Sequence, residues 1–172
     1  AERAANYKKA VELYLSSENA AHPKDSILRA RVHIDAARAL MLAGSPLEAA
    51  EQIDLLLNAK PEKPLPGNIV SEAKSTLALS LYYATYALRL ESSSPKRWQN
   101  EIDEATSLFR ELYQSEIKSA SSSLASFYAR NLEATVLLSR TRQAELASQL
   151  IPPPAQAALN QGVASKKQLK IE

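Results

Sequence analysis

Apolar residues along this chain of 172 residues recur three and four positions apart, the spacing that gathers them on one side of an α-helix. A first helix is expected from about Glu2 to Ser16, with Ala10, Leu13 and Tyr14 on one face. His22-Pro23 ends the connection after it. Asp25 or Ser26 can then cap a second helix by accepting a hydrogen bond from a first-turn amide. Ile27, Ala30, Ile34, Ala37 and Met41 form one stripe of that helix, with Leu28, Val32, Ala36 and Leu40 beside it. It stops at Gly44, one of three glycines in the chain. A residue just past a helix end often takes left-handed backbone, which glycine accepts without steric cost. Ser45 is placed to cap the next helix and Pro46 to fill its first position, where no amide hydrogen is needed. Glu48 completes a capping-box pattern. The prediction is a one- or two-residue turn between antiparallel helices, the second running to about Asn58 and burying Ala49, Ile53, Leu56 and Leu57.

Pro61, Pro64 and Pro66 mark a loop, after which Asn68 can cap a long helix to about Glu91. Its centre, "LALSLYYATYAL", is apolar on most of its circumference, so it should be buried between neighbours on several sides. Ser94 and Pro95 start a helix to about Tyr113 or Ile117. The serine cluster "SASSSLAS" reads either as a low-complexity linker or, preferred, as the capped opening of another helix through Tyr128, Leu132, Thr135 and Leu138. A short helix from Gln143 to Leu150 meets Pro152-Pro153-Pro154, and one more turn is expected around Ala155 to Asn160. This is an all-α chain of about six or seven helices: antiparallel hairpins stacked over residues 1–151, then a proline-started extension or tail over 152–172. Composition agrees, since the 45% hydrophobic content is mostly Ala and Leu, the strongest apolar helix formers.

Residues 30–63 resemble a tetratricopeptide repeat, a helix-turn-helix unit of 34 residues. The places of its large residue, its Leu and small residue, its aromatic, Ala, Phe and closing Pro are held by His33, Ala36-Ala37, Leu40, Ala49, Ile53 and Pro61, with Gly44 at the turn, so that His33, Ala36 and Leu40 depart from the usual Trp, Leu and Tyr. Ala37 and Ala49 are small enough to let the two helix backbones approach. Partial copies stand at Ala10 with Tyr14, Ala105 with Phe109, and Ala144 with Ser148. The alanines at 10, 49, 105 and 144 are 39, 56 and 39 residues apart, so the repeat is stretched and the fold is tetratricopeptide-like. The resemblance implies a short α-solenoid whose first helices line a groove for a peptide or a partner helix. Carried over, the groove positions are Arg31, Ile34, Arg38 and Met41. Ile34 and Arg38 stand where chaperone-binding members place Lys and Asn, which argues against a clamp for a peptide's terminal carboxylate. Arg31 and Arg38 can still meet an acidic partner. By the same comparison the chain opens on the second helix of a pair, so a further helix or a docking partner is expected there.

Net charge is +2, with 21 basic and 19 acidic side chains interspersed. That is a mixed-sign solvated surface, and no nucleic-acid contact is expected from it; Lys166, Lys167 and Lys170 read as a polar tail. There is no cysteine. No apolar run reaches the ~20 residues of a membrane helix, and Ser80, Thr85 and Arg89 interrupt the richest window. The two histidines, His22 and His33, fall on different elements. Glu48/Glu51 and Glu101/Glu104 read as solvated helix charges. Nothing supplies the set of roles that catalysis, a metal or a cofactor requires, so no enzyme, no cofactor and no metal are expected.

Tyr82, Tyr83, Tyr86, Tyr113 and Tyr128 admit two readings: core filling with the hydroxyls at its edge, or a binding surface with Tyr82 and Tyr86 as anchors. Trp98 admits the same two. The function expected is a non-catalytic scaffold that binds another protein, a peptide or a helix, in its groove. Self-association of the array is the first alternative, and a small ligand held between helix layers the second.

Overall fold

The computed structural model describes residues 2–20, 26–59, 64–91, 94–118 and 122–162. Among them are eight α-helices and no strand: α1 (Glu2–Ala20), α2 (Ser26–Ala43), α3 (Pro46–Asn58), α4 (Gly67–Glu91), α5 (Gln99–Lys118), α6 (Ser122–Arg140), α7 (Gln143–Ser148) and α8 (Pro153–Gln161), with a 3-10 turn over Pro95–Arg97. Each helix from α1 to α5 packs on the next in sequence, and α4 also packs directly on α2. Tyr128 of α6 is buried in one cluster with Ala78 of α4, and Asp54 of α3 lies near enough to Glu104 of α5 for their charges to interact. The chain is a short, repeat-like stack of helix pairs.

Alanine makes the stack close. Ala37 and Ala49 are fully buried where α2 meets α3, and Ala73, Ala84, Ala87 and Ala105 are equally buried farther along. With only methyl groups at the contacts, neighbouring backbones can approach to the short end of the ~8–10 Å range of helix packing. Larger residues fill the spaces between. Ile34, Ile53 and Ile69 join one cluster, Leu88, Ile102 and Leu146 a second, and Phe109, Leu112 and Tyr128 a third.

The turn after α2 is a Schellman motif. Gly44 has φ +88°, its N–H donates to the Met41 carbonyl at 3.1 Å, and the Ser45 N–H donates to Leu40 at 2.9 Å. The last carbonyls of α2 are thereby satisfied. Ser45 does precede α3 and Pro46 does start it, but the expected capping box does not form, because the Ser45 hydroxyl makes no capping bond. The Schellman bonds already fix the chain path there. Asn68 is corrected as well: α4 starts one residue earlier, with the Pro66 carbonyl receiving the Ile69 and Val70 amides. Ser94 and Pro95 open the 3-10 turn rather than α5, which begins at Gln99 beyond Trp98. Of the repeat positions, Pro61 lies outside the described residues, as do His22, Pro23 and the basic tail. Tyr14 is 38% exposed.

α4 carries polar residues through its buried middle. The hydroxyls of Ser80 and Thr85 each donate at 2.8 Å to the carbonyl four residues earlier, Thr76 and Leu81. Each polar group is thus satisfied within its own helix and can be buried at little cost. No described helix is long and apolar enough to cross a membrane.

Candidate functional site

The surface shared by α2 and α4 has two unlike halves. Along α2 and near the start of α4 it is charged. Arg38 donates from Nη2 to Glu72 Oε1 at 2.8 Å and from Nη1 to Asp35 Oδ1 at 3.2 Å, while Arg31 Nη1 lies 3.9 Å from Glu72 Oε2. One glutamate on α4 therefore bridges two arginines seven residues, or ~10 Å, apart on α2. Both arginine side chains stay about half exposed, at 54% and 46%. Exposed pairs of this kind typically contribute under ~1 kcal/mol each, because water screens them and two long side chains must be ordered. Arg38→Ala is accordingly expected to change the unfolding free energy by no more than about 1 kcal/mol, read as an almost unmoved urea midpoint.

Two turns and more along the same face of α4, the surface becomes aromatic. Tyr82 meets Tyr83 and Tyr86 edge-on, with ring centroids 5.3 Å and 6.3 Å away. Leu47 and the helix α8 pack against this group. Tyr86 is buried to 3% exposure, while Tyr82 and Tyr83 are half-buried. The core-filling reading of the tyrosines holds for Tyr86. Burial, with the neighbouring Tyr86 and Tyr83 hydroxyls adding to it, pushes the Tyr82 phenol from 10 up to about 12. The unfolded chain ionises Tyr82 first as pH rises, so stability present below pH 10 falls between pH 10 and about 12. Tyr82→Phe should flatten that alkaline loss, seen as a weaker decline of the melting temperature across the same range.

Three of the six positions assigned to a partner are not available to one. Ile34, Met41 and Tyr86 are buried in the chain's own core. Ile34 and Met41 face inward because α3 and α4 both pack on α2, a constraint that one helix's periodicity does not reveal. Arg31 and Arg38 share the charged half, and Tyr82 borders the other half. Glu72 and Asp35 were not singled out by spacing, although a signal existed: Glu72 stands 34 residues after Arg38, the length of one repeat unit.

Two further features involve other residues. A cleft of about 310 Å³ opens at the far end of the α2–α3 hairpin, between Arg29 and His33 on one wall and Leu55, Leu56 and Leu65 on the other. Between α3 and α5, burial and the charges of Asp54 and Glu101 hold the Glu104 carboxyl above its usual range. Among the described residues no group of three or more His, Asp or Glu is placed to hold a metal ion.

Arg89 is a buried cation, 7% exposed. Its guanidinium donates to the carbonyls of Leu138 and Thr141 at the end of α6 and lies 4.6 Å over the Trp98 ring. Trp98 is thus a core residue that holds the arginine in place, and the surface reading of it is set aside. No protein-family model matches the chain, and no curated protein or solved structure does either.

Proposed function

We propose that the chain is a non-catalytic, tetratricopeptide-like interaction scaffold that binds an acidic peptide or helix on the surface shared by α2 and α4. The observation that carries this reading is the half-exposed network of Arg31, Arg38 and Glu72. Its ion pairs are individually weak and leave both arginines about half exposed, so a partner carboxylate can join them over Glu72 at small cost. The packed helices supply a rigid support, which limits the conformational entropy lost on binding.

The test is recovery of a stoichiometric protein partner on the immobilised full chain, compared between wild type and the double variant Arg31→Glu with Arg38→Glu. Arg130→Glu, an exposed change on α6, serves as control. Loss with the double variant alone supports the assignment. Equal recovery by all three chains moves the binding surface elsewhere, and no partner for any of them counts against the scaffold.

Self-association is a second reading, favoured by Leu13, which is 62% exposed on α1, next to the half-exposed Tyr14. Light scattering at two concentrations tenfold apart separates it, since only a self-associating chain grows in mass.

A further inference from the structure

α8 is nine residues long, begins with Pro153 at its first position and ends at Gly162 in left-handed backbone. It lies on α2 and α4, where it covers the aromatic half of their shared surface. The fit at the α2–α3 turn is backbone to backbone. A Cβ placed on Gly44 would overlap the Ala157 carbonyl oxygen and come within 2.6 Å of its carbon. Only small side chains enter the space beyond: Ala155 and Ala158 are fully buried among Tyr86, Leu88 and Leu138, with Ile151 and Leu159 partly buried at the margins.

Such a docking has two physical consequences. Methyl groups remove little apolar area from water, so each buried residue of α8 contributes less than a buried Leu or Phe does. A helix of this length also has no stability of its own in water, so α8 folds only while it is docked. In the chain that leads into it, Leu150 is 97% exposed and Ile151 alone packs on the same cluster. Undocking exposes Tyr86, Tyr82 and Leu47, and costs no other helix its packing on its sequence neighbour.

We propose that the pocket made by the Gly44 turn, Leu47 and the Tyr82–Tyr86 face is a receptor for a short helix with alanines three residues apart, and that α8 is its occupant in cis. A partner helix of the same face enters by displacing α8. The receptor then adjoins the Arg31–Arg38 strip, so one partner segment can use both halves. This extends the scaffold reading and rests on it.

The probe is a fluorescent peptide with the sequence of residues 151–162, titrated against full-length chains and read by anisotropy. Ala158→Arg removes a buried methyl contact and unseats α8. Gln156→Pro removes the N–H that donates to the Pro152 carbonyl at 2.9 Å and disrupts α8 without touching a core side chain. The peptide is expected to bind both variants at least tenfold more tightly than wild type, because in wild type the competent state is scarce. A peptide carrying the Ala158→Arg change should bind none of them. Equal binding to wild type and to helical, cooperatively melting variants overturns the proposal.

If neither variant folds, native-state hydrogen exchange of the wild-type chain decides. α8 amides exchanging at least tenfold faster than those of α4 support a displaceable helix. Exchange of both in one global event overturns it. A partner captured by wild type while α8 stays protected removes the role of α8 and leaves the scaffold reading standing.

Discussion

Gly44→Ala is expected to lower the unfolding free energy by about 3 kcal/mol. Alanine at φ +88° costs roughly 1–2 kcal/mol, because its Cβ crowds the following carbonyl in left-handed backbone. The same Cβ meets the Ala157 backbone, and forcing atoms into a filled space typically adds about 1–3 kcal/mol. The two parts separate in a double-mutant cycle with Gln156→Pro. Once α8 is unseated, only the backbone part should remain, about 1–2 kcal/mol. Urea unfolding at constant slope gives both values. A Gly44→Ala chain within about 0.5 kcal/mol of wild type, the range of an ordinary surface change, would mean that the turn neither needs left-handed backbone nor touches α8.

The second large effect is expected at Arg89. Arg89→Met keeps the apolar length of the side chain and removes the guanidinium. It leaves the Leu138 and Thr141 carbonyls without their donor, each at roughly 1–3 kcal/mol when no other partner replaces it. It also deprives Trp98 of the stacked cation, worth about 0.5–2 kcal/mol. Some of this is offset, because desolvation disfavours the charge and lowers the Arg89 pKa. A net loss of about 3 kcal/mol is expected. Arg89→Lys should lose about half as much, since one ammonium cannot reproduce the planar fork or the stacking. Trp98 is the single tryptophan, so its emission reports the change directly: a red shift marks water reaching a ring that is now 6% exposed. A loss below about 1 kcal/mol with unchanged emission, typical of an expendable hydrogen bond, would show that Arg89 does not hold the end of α6 in place.

Much of this fold was legible because it is written in local chemistry. Gly44 and Pro46 mark the turn since left-handed backbone and a missing amide hydrogen are single-residue properties. The alanines at 37, 49 and 105 mark close approach for a similar reason. The polar interruptions of α4 were visible, but their meaning was not. Ser80 and Thr85 turn back onto their own helix, whereas Arg89 finds its acceptors 49 and 52 residues onward. No pattern within α4 distinguishes these two fates. The same limit governs the candidate surface. A seven-residue spacing puts Arg31 and Arg38 on one side of α2, but only the position of α4 decides that Ile34 and Met41 lie inside. α8 was expected as a turn of helix after a proline run. That it docks beside Gly44 depends on a backbone contact that carries no side-chain signature at all.

The most direct test of the central claim, that the α2–α4 surface receives a protein partner, is a carboxylate-labelling footprint of the captured complex. A water-soluble carbodiimide modifies exposed Asp and Glu, and mass spectrometry reads each site in the free and bound chain. The account predicts that Asp35 and Glu72 lose labelling in the complex, while Glu133 on α6 and Glu145 on α7, both exposed, label as before. Unchanged labelling of Asp35 and Glu72 in a complex that protects other carboxylates would contradict it.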